Sequence, residues 1–178
     1  MKPIHAFFIY LCLILLSCQE EDGVEPDARE PFIGTYQIDN LTGSIFQGDF
    51  SVSSNPEIEV SLESLLDEDE VFLDIEPLAE AIIEELTFFQ FNTRDIIRAQ
   101  ISRDEQIAIL SGSLFKLQDV EFITIYTSAL NDNDILTCEL NLSGEFNESS
   151  ISFDYDFQII GQNFSYYAEG TASGTKID

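Results

Sequence analysis

Histidines, cysteines and paired carboxylates build most active sites, so their placement bounds the chemistry first. The 178-residue chain has one histidine, His5, inside an apolar run at the N-terminus. Without a histidine in its body, the chain cannot assemble a Ser–His–Asp or Cys–His site as normally built, or a histidine-ligated metal site. The cysteines are Cys12, Cys18 and Cys138. The first two lie in or just after the apolar run, which leaves Cys138 with no disulfide partner and no companions for a zinc cluster. Cys138 alternates with Leu136 and Leu140 and reads as a small buried hydrophobe. No basic neighbour in sequence lowers its pKa. No Gly-rich phosphate loop and no basic, aromatic-interleaved run is present.

Carboxylates are plentiful: 34 acidic residues stand against 7 basic ones, a net charge of −27. Such a surface repels phosphate backbones and anionic headgroups, so nucleic acid is not an expected partner and charge does not hold the chain to a membrane. Glu57 to Glu85 holds 12 carboxylates and no lysine or arginine, densest at Asp67-Glu68-Asp69-Glu70. Hard cations take oxygen ligands. Neither this stretch nor Asn131-Asp132-Asn133-Asp134 has the glycine and distal glutamate of an EF-hand loop, so both read as solvated loops. No metal or cofactor is expected. Glycoside hydrolysis needs two carboxyls at a set separation, one with a raised pKa; the sequence singles out no such pair. No catalytic residue is assigned, and the chain is not expected to be an enzyme.

The N-terminus supplies what charge does not. After Lys2, the residues Ile4 to Leu16 form an apolar run. About 13 residues rise only about 20 Å as a helix, short of a ~30 Å hydrocarbon core, so this is a signal-peptide core rather than a span. Leu15-Leu16-Ser17-Cys18 resembles the bacterial lipobox. That resemblance implies a diacylglyceryl group on the Cys18 thiol and cleavage by signal peptidase II between Ser17 and Cys18. Loss of Lys2 then leaves 6 basic residues against 34 acidic ones, a side-chain charge of −28. One acyl chain anchors a protein only marginally, and a diacylglyceryl cysteine carries two.

Residues 18–31 follow as a lipidated cysteine and an acidic tether with Pro26 and Pro31, reaching about 45 Å if extended. Its start, Gln19, Glu20, Glu21 and Asp22, is similar to the surface-export signal of Bacteroidota lipoproteins. The similarity implies display on the outer face of the outer membrane.

From Phe32 to Asp178 the pattern is that of an all-β domain. Tyr36 and Ile38, Phe50 and Val52, Ile58 to Leu62, Leu136 to Leu142, Ile151 to Ile159 and Phe164 to Gly170 alternate with polar residues, as antiparallel strands with one buried face do. Further strands are expected near Val71 to Ile75, Ile96 to Ser102, Gln106 to Leu110 and Val120 to Thr127. Leu78, Ile82 and Leu86 have helical spacing behind Pro77, which predicts one short helix near 77–88. The sum is an antiparallel meander of about 8–10 strands closing, or nearly closing, into a barrel.

Phe32-Ile33-Gly34-Thr35-Tyr36 and the ending from Tyr167 to Lys176 look like the first and last strands of small lipocalin-like (calycin-like) lipoproteins from Bacteroidota. Ile97 to Ile101 and Gln106 to Leu110 resemble that family's central strand pair. Lipocalins proper carry Gly-x-Trp where this chain has Gly34-Thr35-Tyr36, and the chain has no tryptophan. The aromatics Tyr36, Phe153, Tyr155, Phe157, Phe164 and Tyr166 are candidates for an apolar pocket. Three roles follow as expectations: a lipid-anchored, non-catalytic interaction module, a lipocalin-like carrier of a small apolar molecule, or an accessory protein of a glycan-uptake system. A filled interior with an exposed apolar patch would favour the first, and an open cavity the second.

Overall fold

A computed structural model describes residues 27–45, 48–53, 58–91, 96–127, 134–161 and 165–178. In chain order the elements are β1 Gly34–Ile45, β2 Gly48–Ser53, β3 Glu59–Ser64, β4 Glu70–Asp74, α1 Glu76–Phe91, β5 Ile96–Gln100, a 3-10 turn Arg103–Gln106, β6 Ile107–Ser111, β7 Leu114–Thr127, β8 Asp134–Asn147, β9 Ser150–Ile160 and β10 Ser165–Lys176. The fold is all-β with one helix, and its eight-strand ring is closed. The ring runs β1, β3, β4, β6, β7, β8, β9, β10 and back to β1, antiparallel throughout.

The two ends of the barrel differ. At one, the closed end, β1 pairs β3 through Gly34–Gln37 and β7 pairs β6 through Leu114–Lys116. At the other, β1 pairs β2 through Asn40–Ile45 and β7 pairs β5 through Ile123–Thr127. Helix α1 lies at this second end, against β5 and β3.

The side-chain alternation slips twice, and each slip marks a bulge. In β1 the inward residues are Tyr36 and Ile38, then Leu41 and Gly43, with the register shifting between Ile38 and Asn40. In β7 they are Phe115 and Leu117, then Val120, Phe122 and Thr124. Gln118 and Asp119 together face Asn141, and Asp119 has φ 55°. Its N–H donates to the Asn141 Oδ1 at 2.8 Å, which satisfies a donor the ladder leaves over. Such bulges bend a strand, as barrel closure requires. The slip also hides the first half of β7, which begins at Leu114 rather than near Val120.

Tight turns close the hairpins. Ser111 pairs with Leu114 across Gly112-Ser113, and Gly112 takes φ 67°. A two-residue hairpin loop with a left-handed first position favours glycine there.

The core is one contiguous cluster. Near the closed end Phe115 stacks on Phe146 at 4.4 Å between centroids, and Phe32 lies over Phe146 at 5.8 Å. The Tyr36 hydroxyl donates to the Phe32 carbonyl at 2.8 Å, tying the entering chain to β1. Further along, the Tyr155 hydroxyl donates to the Thr42 carbonyl at 3.1 Å. Room for it exists because Gly170, opposite Tyr155, has no side chain: a Cβ there would lie 2.0 Å from the Thr42 oxygen and 2.6 Å from the Tyr155 hydroxyl.

Helix α1 is 16 residues long, extending past the span expected from its apolar spacing. Leu78, Ala79, Ile82, Ile83 and Leu86 are all buried in the same cluster as the strand residues. Burying four Leu and Ile side chains contributes roughly 6–12 kcal/mol before the entropy of ordering them. A domain's whole net stability is about 5–15 kcal/mol. The helix is therefore part of the core and not a detachable cover.

Candidate functional site

The barrel interior is the first place a ligand would go. Tyr36, Phe153, Tyr155 and Phe157 point inward and are 0–4% exposed. They are packed along the barrel's length, Phe153 against Phe115 and Phe157 against Phe122. Tyr166 is half-buried against the core. It borders an open recess of about 570 Å³ near the helix end, with Ile45, Leu86 and Tyr167. Phe164 lies outside the described residues. Burial pushes the Tyr155 hydroxyl's pKa well above its ordinary value, so it stays a neutral donor to Thr42. Cys138 is fully buried, and burial pushes its thiol up to about 12. A thiol so placed is neither nucleophile nor metal ligand at neutral pH.

Arg29 organises the densest part of the acidic stretch, the β3–β4 loop. Arg29 is 7% exposed. Its Nη1 donates to the carbonyls of Asp67 at 2.5 Å and Glu70 at 2.7 Å, while Nε and Nη2 hold the Asp27 carboxylate. The guanidinium holds that carboxyl below the usual carboxylate range. A positive group thus already sits in the β3–β4 loop, on carbonyls that a metal ion would otherwise seek. Among the described residues, no group of three or more His, Cys, Asp or Glu side chains is placed to hold a metal. The clamp also shows that the ordered body reaches back to Asp27, into the segment that reads as tether. The one sequence signal was a lone arginine in an acidic linker.

Helix α1 also guards an edge. The Glu80 carboxylate accepts the Ala99 N–H at 3.0 Å, and Glu76 accepts the Ile101 N–H at 3.2 Å. The buried Gln106 takes the Ile75 N–H at 3.0 Å and donates to the Ile101 carbonyl at 3.3 Å. The two glutamates occupy backbone donors at and just beyond the end of β5 that would otherwise invite another strand.

The outer wall carries two apolar features. Near the closed end, Ile109 and Leu114 are half-exposed beside Lys116 in an open recess of about 900 Å³. Near the helix end, the register sets Ile125 beside Ile135, and Ile123 beside Thr137 beside Ile160. All face outward; Ile123 is 41% and Ile135 68% exposed, and Ile125 and Ile160 are intermediate. Four isoleucines thus form one patch across β7, β8 and β9. Its sequence signal was the run Phe122-Ile123-Thr124-Ile125, apolar at both parities, where a strand with one wet face alternates.

The described chain enters the barrel at the closed end. Arg29 binds the β3–β4 loop there, and the Ile177 N–H donates to the Thr35 carbonyl, so the first and last described segments lie together. The isoleucine patch is at the other end. The lipobox residues Leu15, Leu16, Ser17 and Cys18, the segment Gln19, Glu20, Glu21 and Asp22, and Asn131 to Asn133 lie outside the described residues.

Fold and site define the class as a closed antiparallel β-barrel with one helix packed at one end and an apolar outer patch. No family model, no curated protein and no solved structure matches the chain.

Proposed function

We propose that this chain is a lipid-anchored, non-catalytic interaction module, held by Cys18 to the outer membrane and facing the cell exterior. The observation that carries the reading is the close packing of the inward side chains among the described residues, combined with an isoleucine patch on the outer wall at the end opposite the entering chain. A barrel used as a carrier keeps its inward side chains around a chamber. Here the helix's own Leu78, Ile82 and Leu86 pack among them. A contiguous apolar patch rimmed by charged residues marks a candidate contact face. The entering chain joins the barrel at the opposite end, which leaves that face free to meet a partner. The histidine-free body and the inert Cys138 thiol support a module with no catalysis of its own.

Cys18→Ser tests the anchor: the reading predicts an uncleaved chain that incorporates no labelled fatty acid. Normal processing or acylation of that variant would refute it. Protease treatment of intact cells reads the leaflet, since outer display predicts loss of the protein and periplasmic retention predicts its survival. Native mass spectrometry of the purified protein tests the carrier alternative, which requires a stoichiometric apolar molecule that leaves on denaturation.

A further inference from the structure

We infer that the isoleucine patch receives a basic amphipathic helix, one apolar stripe flanked by lysine or arginine. The inference rests on the interaction-module reading and adds the chemistry of the partner.

Geometry sets the width. Ile123, Thr137 and Ile160 stand side by side on three adjacent strands, a span of about 10 Å at the usual strand spacing. That matches the 10–12 Å diameter of one helix, and layering a helix on a sheet face is a common way to cover it.

Charge sets the sign. The next outward row along the strands is Glu121, Glu139, Gln158 and Tyr167. Same-face rows lie about 7 Å apart, inside the Debye length of about 8 Å at physiological salt. Glu121 and Glu139 are direct cross-strand partners, an arrangement that destabilises a ladder unless a cation lies between. Asp156 and Glu169 form the following row, beyond one Debye length, and contribute a weaker field. The cation bordering the patch, Arg98, pairs with Ile125 in register and is held by Glu80 at 3.4 Å. Among the described residues, no salt bridge neutralises Glu121 or Glu139, so the patch presents apolar surface beside negative charge. A second copy fits this poorly: it brings the same carboxylate row and a chain of net charge −27, and such self-repulsion opposes association.

The test uses the full chain anchored in phosphatidylcholine vesicles, with binding to empty vesicles subtracted. The probes are three fluorescent peptides of about 18 residues, long enough to form a helix, with one leucine stripe and flanks of lysine, glutamine or glutamate. The lysine peptide is expected to bind at least about tenfold more tightly than the glutamine one at low salt, with the advantage lost at high salt. Ile123→Ser and Ile135→Ser, both at exposed positions, should weaken it about tenfold or more. Leu114→Ser, at the opposite end, should not. Glu121→Gln combined with Glu139→Gln should erase the lysine preference while leaving the isoleucine dependence. Equal binding of the lysine and glutamine peptides through Ile135 would overturn the basic partner while leaving the contact face standing. Binding of the lysine peptide that ignores both isoleucine variants, or no binding, would overturn the inference. So would a dimer that Ile135→Ser dissolves, since the occupant would then be a second copy. Anchoring is read separately at Cys18, so failure here and failure there are distinct results.

Discussion

At the scale of single residues, absent space and absent water do most of the work. Cys138 is fully buried, and burial pushes its thiol up to about 12. It should resist a thiol-specific reagent at neutral pH in the native protein and react fully once the chain is unfolded. Gly170 supplies the opposite lesson. Tyr155→Phe removes one buried hydrogen bond and should cost about 1 kcal/mol in denaturant unfolding. Gly170→Ala drives a methyl group into the Thr42 backbone and the Tyr155 hydroxyl; forced overpacking costs about 1–3 kcal/mol and sometimes more. The glycine substitution, smaller in atoms, should therefore be at least as damaging. Arg29 and Asp27 give a pH dependence whose sign is fixed. The folded Asp27 carboxyl titrates lower than in the unfolded chain because Arg29 stabilises its charge. Its contribution is complete above the ordinary carboxylate value of about 4 and is lost as pH falls from there through the lowered one. Arg29→Ala should flatten that part of the melting-temperature profile and speed amide exchange around residues 64–71.

At the scale of elements, the helix decides what the barrel can be. Ile82 is fully buried among strand residues, and Ile82→Ala should cost about 2–5 kcal/mol. Leu66 is fully exposed in the β3–β4 loop, and Leu66→Ala should stay within about 0.5 kcal/mol. Equal effects in chemical denaturation would mean the helix does not belong to the core. Much of this was legible in the sequence. Leu78, Ile82 and Leu86 announced the buried face of the helix. Strands such as Ile151 to Ile159 kept strict alternation along their whole length, because no bulge interrupts them. The first half of β7 was hidden, because the extra residue at Asp119 shifts the apolar positions from odd to even. What local pattern cannot show is that the helix turns its apolar face into the barrel rather than onto an outer sheet face. That depends on β5 and β6 both pairing with β7 at different heights, a long-range fact. The outer isoleucines were half legible: the apolar run was visible, but only the pairing of Ile125 with Ile135 and of Thr137 with Ile160 makes it one patch.

At the scale of the whole molecule, the proposed anchor and the proposed contact face belong to opposite ends of the barrel. The closed end collects the entering chain, the Arg29 clamp and the C-terminus. The helix end carries the isoleucines. In the proposed tethering, the isoleucine patch lies at the far end of the barrel from the entering chain, open to a partner that approaches from outside. Site-specific photo-crosslinking on intact cells tests this most directly. A photoreactive residue is placed at Ile135, or at Thr175, which is exposed near the closed end. The account predicts a discrete crosslinked product from position 135 and none from position 175. Equal products from both positions, or none from position 135, would contradict it.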